Sequence, residues 1–253
     1  MIIGIDVGNT AIKLAFAHES EAIVKRVSDP EAIESLSQTL WAASRSEPAD
    51  IRIASVNRTK THELIERTQT KAGTNTAFRQ ITHTDLPLAV ETDSPERVGI
   101  DRLVGCYGAA KVYRLPLVVV DAGTTVTVDL VDSEGIYRGG AIIPGLEMQT
   151  RALAAGTDAL PHIDWQDSCE SASLAAPHCV PAKDTISAIR LGILSSVVGG
   201  IERLVRLYGN PSCVVVTGGD CQCIAAALQI SSQHDFNTHL HPHLVCRTLA
   251  SLG

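Results

Sequence analysis

The stretch MIIGIDVGNTAIKLAF, residues 1–16, decides how the rest of the chain is interpreted. An apolar run stops at Asp6, passes through Gly8-Asn9-Thr10 and resumes beyond Lys13. The pattern predicts two strands, Ile2 to Ile5 and Ala11 to Ala17, joined by a tight turn. A loop of a glycine, an amide and a hydroxyl is suited to holding phosphate, although it matches neither G-x-x-x-x-G-K-[ST] nor G-x-G-x-x-G. Taken alone, it is equally consistent with an ordinary hairpin turn.

The same order of residues returns 115 positions later, in PLVVVDAGTTVTVDLVD, residues 116–132. Asp6-Val7-Gly8-Asn9-Thr10 aligns with Asp121-Ala122-Gly123-Thr124-Thr125, and apolar runs flank both stretches. Turn chemistry does not require the leading aspartate twice. The offset is too long for a solenoid repeat, so it indicates a duplicated supersecondary unit.

The segments around these two stretches alternate between strand and helix patterns, which is typical of an α/β fold. DPEAIESLSQTLWAASRS, residues 29–46, predicts a helix capped by Ser28 or Asp29, and THELIERTQTKAG predicts a helix that ends at Gly73. In SCVVVTGGDCQCIAAAL, a strand runs into Gly218-Gly219 at a helix start. Paired glycines there let a ligand approach the backbone, so we expect a third nucleotide contact.

Composition excludes several classes of protein. Hydrophobic residues make up 45% and charged residues 19% of the 253 residues, and the formal net charge is −7, the wrong sign for a protein that coats nucleic acid. The seven cysteines are odd in number and include no C-x-x-C, so we expect buried thiols in a reducing compartment. No signal peptide or membrane span is predicted, and we expect a cytoplasmic protein.

The two leading aspartates need an explanation if the loops hold phosphate. Carboxylates repel phosphates unless a cation lies between them, so Asp6 and Asp121 predict Mg²⁺ or another metal ion at these loops. Lys13 either adds a positive charge to the phosphates or is merely solvated. His239, His241 and His243 lie at period two in HLHPH, which is more typical of a solvated strand or tail than of a metal site.

A third informative stretch is SPERVGIDRLVGCYGAAKVY, residues 94–113. Asp101, Gly105 and Gly108 recur at i, i+4 and i+7 on one helix face. Helix glycines are unfavourable, so either a second helix packs closely there or a ligand does. Asp101 is either a first-turn residue stabilised by the helix dipole or a base that accepts a hydroxyl proton, with Arg102 holding an anionic group of the substrate.

The motifs DVGNTAIK, GIDR, DAGTTVTVD, GGAIIPGLE and TGG, in this order and spacing, resemble those of type III pantothenate kinases, which belong to the sugar kinase/heat-shock ATPase/actin superfamily. The resemblance implies an α/β fold of two related actin-like (ribonuclease H-like) domains, 1–114 and 115–253, with an ATP cleft between them. It further implies ATP-dependent phosphorylation of pantothenate to 4'-phosphopantothenate, the first step of coenzyme A biosynthesis. The family is cytoplasmic and homodimeric, and it requires Mg²⁺ and a monovalent cation, K⁺ or NH₄⁺.

Carried over to matching positions, the resemblance implies a role for each motif residue. Asp101 would accept the proton of the pantothenate hydroxyl, Asp121 would hold the monovalent cation, and Asp6 would lie near Mg²⁺. The implied ATP-binding residues are Asp6, Val7, Gly8, Asn9, Thr10, Ala11, Ile12, Lys13 and Thr124. The implied pantothenate-binding residues are Gly99, Ile100, Asp101, Arg102 and Thr185.

Two positions depart from the family pattern, both on the substrate side. Asp184 stands where the family usually has Asn, and Thr92 stands where it often has Tyr. Two other functions stay open from the sequence: a related kinase for another small molecule such as a sugar, and a non-catalytic ATP-binding regulator of the same fold.

Overall fold

A computed structural model describes residues 1–19, 21–72, 76–165, 180–230 and 236–252. The chain forms two compact units. The first comprises Met1–Leu88, Asp93–Gly108 and His243–Gly253, and the second comprises Ala89–Thr92 and Ala109–Pro242. The C-terminal residues therefore belong with the first unit, because they pack on its sheet. The division into two ATPase domains at residue 114 stays a prediction.

The first unit is built on a five-stranded sheet with the order β3-β2-β1-β4-β5. Its strands are β1 (Ile2–Val7), β2 (Ala11–Phe16), β3 (Ala22–Arg26), β4 (Ala49–Ser55) and β5 (Thr76–Gln80), and its helices are α1 (Ala32–Ser46), α2 (Arg58–Ala72), α3 (Ile100–Val112, which crosses into the second unit) and α7 (Leu244–Ser251). Apolar side chains of β1, β2 and β4 form one core with α1 and Leu64 of α2.

The second unit is built on a six-stranded sheet with the order β11-β10-β7-β8-β9-β6. Its strands are β6 (Ala89–Val90), β7 (Leu117–Ala122), β8 (Thr125–Val131), β9 (Ile136–Pro144), β10 (Cys213–Thr217) and β11 (Asn237–Leu240), and its helices are α4 (Leu146–Gly156), α5 (Thr185–Leu207) and α6 (Cys221–Ile230). Alternate residues of β7 and β8 form the larger core with α5, α6 and Trp165.

The two sheets share one topology, which confirms the duplication predicted from the two Asp-x-Gly motifs. In each sheet, three strands pair antiparallel in chain order, and two further strands then add in parallel beside the first. β1 to β5 thus correspond to β7 to β11, and β6 is an extra edge strand of the second sheet. The two quoted stretches form the first hairpin of each sheet.

The start of α1 differs from the sequence prediction for a local reason. The residue that caps α1 is Glu31 rather than Ser28 or Asp29, and the Asp29 carboxylate instead accepts a hydrogen bond from the Glu31 N–H at 2.9 Å. α3 begins at Ile100, after a short 3₁₀ turn at Pro95–Arg97, so Asp101 lies near the helix start as predicted. Gly73, the predicted end of α2, lies outside the described residues.

α7 lies directly against the face of β1 that carries Gly4 and Asp6. A Cβ on Gly4 would lie 2.0 Å from the carbonyl oxygen of Cys246, so only glycine allows this approach. None of the helices in the described part of the chain is long and apolar enough to cross a membrane.

Candidate active site

The hairpin of β1 and β2 places Lys13 opposite Asp6. The two residues are cross-strand partners, and the Lys13 Nζ lies 4.0 Å from the Asp6 Oδ2. Their side chains are 17% and 12% exposed, so Lys13 is held beside the carboxylate rather than merely solvated. The turn is closed by a hydrogen bond from the Gly8 N–H to the Ala11 carbonyl at 3.0 Å. The first loop therefore combines a mostly buried carboxylate with an ammonium group.

The thiol of Cys246 lies beneath this loop but takes no part in its chemistry. Burial, and after it the negative charge of Asp6, raises the pKa of the Cys246 thiol to about 12. The thiol stays protonated at neutral pH and donates to the His243 carbonyl at 3.4 Å. The first loop thus offers a carboxylate, an ammonium and backbone groups, and no thiolate nucleophile.

Asp101 and Arg102 lie in the first turn of α3, where the sequence placed them. The Arg102 N–H donates to the Asp101 Oδ1 at 2.9 Å and to the Gly99 carbonyl at 3.1 Å, so the carboxylate shares a backbone donor at the helix start. A Cβ on Gly99 would lie 2.6 Å from the same oxygen, so glycine leaves room for this carboxylate. Both predicted roles of Asp101 remain consistent with this position.

The glycine face of α3 is explained by helix packing at Gly108. A Cβ there would lie 1.9 Å from the Thr248 Oγ1 of α7. The second-helix alternative is therefore confirmed at this position, and no ligand is needed to account for the glycine. Through this contact α7 touches both α3 and β1, the two elements that carry Asp101 and Asp6.

In the second unit, three motifs that are far apart in sequence meet at the loop after β7. The Gly145 N–H donates to the Thr124 carbonyl at 3.1 Å, and the Asp220 N–H donates to the Ala122 carbonyl at 2.9 Å. Gly218 has φ +99°, and a Cβ on it would lie 2.2 Å from the Ala122 oxygen and 2.5 Å from the Asp121 Oδ1. DAGTT, PGLE and TGG thus form one small, backbone-lined junction, at the N-terminus of α6.

The helix that follows the PGLE turn is anchored by Glu147. The carboxylate accepts from Arg151 Nε and His162 Nε2, each at 2.9 Å, and from the Trp165 N–H at 3.3 Å. Burial raises the pKa of the Glu147 carboxyl, but the hydrogen bonds together lower it by more than burial raises it. The pKa of Glu147 therefore lies below its usual range. Glu147 therefore stays ionised and holds residues 162–165 against the start of α4.

The structure also shows a polar strip that the sequence motifs did not single out. Asp129 is 1% exposed, and its Oδ1 accepts a hydrogen bond from the Tyr137 Oη at 2.8 Å. A bulge at Gly139, with φ +91°, brings both Tyr137 and Gly140 opposite β8. The alternation in TVTVDLV was the available signal, since period two puts Thr125, Thr127 and Asp129 on one face.

The two positions that depart from the family pattern lie in the second unit. Asp184 caps α5, because its Oδ1 accepts from the Ser187 N–H at 2.9 Å; asparagine caps helices equally well. This hydrogen bond lowers the pKa of Asp184. Thr185 begins the same helix and is exposed. Thr92 lies beside Gly139, 3.6 Å from the place of a Cβ, and its buried hydroxyl has no hydrogen-bond partner.

The histidine run and the cysteines show no metal chemistry in the part of the chain that the structure describes. His239 lies on β11, and its ring is 4.7 Å from that of Tyr113. Five of the described cysteines are buried thiols that form no disulfide, as predicted: Cys106, Cys213, Cys221, Cys223 and Cys246. Cys169 and Cys179 lie outside the described residues. No group of three His, Cys, Asp or Glu side chains among the described residues is placed to hold a metal ion.

Comparison with known proteins gives relatives over the whole chain. A family model described as type III pantothenate kinase matches residues 2–207. A type III pantothenate kinase of Rhodopirellula baltica is 42% identical over 276 residues, covering 99% of this chain and 97% of that protein. Another, from Persephonella marina, is 30% identical over 253 residues, covering 95% and 94%.

A solved structure shows the same fold at low sequence identity. Component A of the (R)-2-hydroxyglutaryl-CoA dehydratase of Acidaminococcus fermentans has a TM-score of 0.57 and 16% identity, over 99% of this chain and 95% of its own. At this identity the likeness concerns the fold alone. Together with the shared topology of the two sheets, it confirms the actin-like (ribonuclease H-like) α/β fold.

Proposed function

The chain belongs to the type III pantothenate kinase family, and we propose that it transfers the γ-phosphate of ATP to the primary hydroxyl of pantothenate. The products are 4'-phosphopantothenate and ADP, and the reaction is the first step of coenzyme A biosynthesis. The observation that carries the proposal is the 42% identity to a curated pantothenate kinase over 99% of this chain. A likeness confined to one unit would support nucleotide binding only.

In the proposed reaction the hydroxyl oxygen attacks the γ-phosphorus in line, and the bond from that phosphorus to the β,γ-bridging oxygen breaks. Asp101 accepts the hydroxyl proton, and Arg102 and Gly99 bind the rest of pantothenate. Such a transfer leaves little covalent work for the protein, so positioning and charge neutralisation supply most of the rate. Lys13 adds a positive charge at the first loop, and Thr124 and the backbone N–H groups of both loops bind ATP.

The finer parts of the proposal concern ions. A single carboxylate with substrate phosphates is a common way to hold Mg²⁺, and the mostly buried Asp6 fits this role. Bound there, Mg²⁺ would neutralise phosphate charge. Asp121 fits a monovalent cation, K⁺ or NH₄⁺, because hydroxyl-bearing Thr127 and Thr217 are its partners on the two neighbouring strands.

We also propose a homodimer in the cytoplasm, with Thr185 near its interface. Support for the dimer comes from exposed apolar side chains around Thr185: Val180 is 72% and Ile186 is 46% exposed. A groove of about 490 Å³ lies between α4 and α5, and Ala188 and Ile189 of α5 are among the residues that line it. Apolar patches of this kind mark interaction surfaces.

Light scattering coupled to size-exclusion chromatography measures the molar mass of the protein in solution. A monomer at micromolar concentration would contradict the dimer.

The test is ADP release with pantothenate as acceptor, with and without K⁺ or NH₄⁺, beside a panel of sugars. We expect turnover with pantothenate that depends on the monovalent cation. Turnover with a sugar and not with pantothenate would point to a kinase for another small molecule. Nucleotide binding with no product from any acceptor would point to a regulator. Either outcome removes the proposed function.

Asp101→Asn tests the proposed base. Asparagine keeps the oxygen that accepts the Arg102 N–H, so the helix start should be preserved while the proton acceptor is lost. We expect turnover to fall by about 10²–10⁴-fold, with ATP affinity nearly unchanged. Turnover like that of the wild type would remove Asp101 from the mechanism.

A further inference from the structure

The two hairpins differ at one position that faces the leading aspartate. In the first unit the cross-strand partner of Asp6 is Lys13, and its ammonium lies 4.0 Å from the carboxylate. In the second unit the cross-strand partner of the corresponding Asp121 is Thr127. Paired residues of antiparallel strands project from the same face, so Thr127 occupies the place that Lys13 fills in the first repeat.

The Thr127 hydroxyl is buried and unsatisfied. The residue is 8% exposed, and its Oγ1 has no hydrogen-bond partner. Buried hydroxyls of native proteins are nearly always hydrogen-bonded, so one without a partner calls for an unseen ligand or another explanation. On the other side, Thr217 of β10 is the parallel partner of Asp121 and is also buried. The carboxylate is thus flanked by two threonines on neighbouring strands.

We propose that the Thr127 hydroxyl is a ligand of a monovalent cation, K⁺ or NH₄⁺, bound at the Asp121 carboxylate. The first repeat carries its own monovalent cation, the Lys13 ammonium, at the corresponding place. The second repeat lacks that ammonium and takes a free ion of the same charge. Hard cations prefer oxygen ligands, and one carboxylate with neutral oxygens balances a single positive charge.

This inference rests on the proposed function only for the catalytic role of the ion; the binding site itself is testable without turnover. A purely structural Thr127 makes the opposite prediction for Thr127→Val. Valine has the same shape and removes an unsatisfied buried hydroxyl, so the variant would then be as stable as wild type or more stable, with an unchanged response to K⁺.

The experiment measures the midpoint temperature of unfolding of the full chain as a function of KCl concentration. Choline chloride keeps the ionic strength constant, and a non-hydrolysable ATP analogue and Mg²⁺ are present throughout. Direct ²⁰⁵Tl⁺ NMR binding is the second readout. We expect Thr127→Val to raise the half-saturating K⁺ concentration about tenfold, and Thr127→Ser to stay within about threefold of wild type. If valine is not tolerated, Thr127→Ala is compared with Thr127→Ser in the same way.

Thr238→Val is the matched control. Thr238 lies on β11 of the same sheet and also has a buried hydroxyl without a partner, but it pairs with Val214 and not with the Asp121 row. Its K⁺ response should equal that of wild type. Thr127→Lys adds a gain-of-function arm, because it supplies a tethered ammonium as in the first repeat. That variant should lose its K⁺ response.

The outcomes separate the two proposals. Equal K⁺ dependence in wild type and Thr127→Val, or a wild type that does not respond to K⁺, overturns the ligand role whether or not phosphopantothenate forms. A K⁺ response that Thr127→Val weakens, in a protein that phosphorylates no pantothenate, supports the cation site and removes the proposed function.

Discussion

Gly218→Ala offers the sharpest test of the junction at the loop after β7. Gly218 has φ +99°, a conformation that residues with a Cβ rarely adopt, and the added carbon would meet the Ala122 oxygen at 2.2 Å. That oxygen cannot move freely, because it belongs to β7 and accepts a hydrogen bond from the Asp220 N–H. The carbon would also press on the Asp121 carboxylate at 2.5 Å.

The expected cost combines two effects. A positive φ costs a non-glycine residue about 1–2 kcal/mol, and overpacking against fixed backbone costs about 1–3 kcal/mol more. The alanine variant should therefore lose roughly 2–5 kcal/mol of stability. For a chain of this size, each kcal/mol shifts the thermal midpoint by about 2–4 °C, so a drop on the order of 10 °C is expected.

Gly219→Ala is the matched control, because Gly219 is the next residue and a Cβ there would meet nothing within 4 Å. Its stability should stay within about 0.5 kcal/mol of wild type. Scanning calorimetry of both variants measures the difference directly, and the K⁺ titration shows whether Asp121 has been displaced. Equal midpoints for the two variants would refute the account of why this position is glycine.

Three further predictions concern other parts of the chain. Gly108→Ala should lower the free energy of unfolding by about 1–2 kcal/mol, because the clash of the new Cβ with Thr248 outweighs the gain in helix propensity. Gly199→Ala in α5 should raise it by up to about 1 kcal/mol, because a Cβ there would meet nothing within 4 Å. Chemical denaturation of both variants measures the two changes. The Cys246 thiol should be alkylated on the order of a thousandfold more slowly than an unperturbed thiol at pH 8, because its pKa is about 12. Mass spectrometry measures the alkylation rate of Cys246 in native and in unfolded protein. Equal rates in the two states would contradict the burial of this thiol. The pKa of Asp184 is lowered from 3.8, so its helix cap should stabilise α5 fully above that pH and should weaken as the pH falls through the lowered pKa. Asp184→Asn should abolish this pH dependence. If the thermal midpoint of the variant falls with acid as that of the wild type does, Asp184 is not the group responsible.

Sequence patterns predicted the fold well because the two signals used, apolar alternation and a short repeated motif, can each be recognised within a few residues. The alternation of apolar and polar residues located the hairpins, and the repeat of Asp-x-Gly gave the duplication, which the shared strand order of the two sheets confirms. The long-range features were out of reach. Nothing in HPHLVCRTLAS indicates that α7 packs on β1, since that contact depends on the absence of a Cβ at Gly4, in a distant strand.

The candidate site was predictable in its residue types but not in its register. Alignment of the two repeats by their aspartates sets Lys13 against Val128, which points into the core of the second unit. The structure instead makes Thr127 the counterpart of Lys13, because the first hairpin turn is one residue longer than the second: Val7 pairs with Ile12, but Ala122 pairs with Val126. A change of one residue in a turn moves every later side chain to the other face of its strand. The difference between the repeats is therefore an exchange of a tethered ammonium for a hydroxyl. It accounts physically for why one loop supplies its own monovalent positive charge while the other would depend on a monovalent ion from solution.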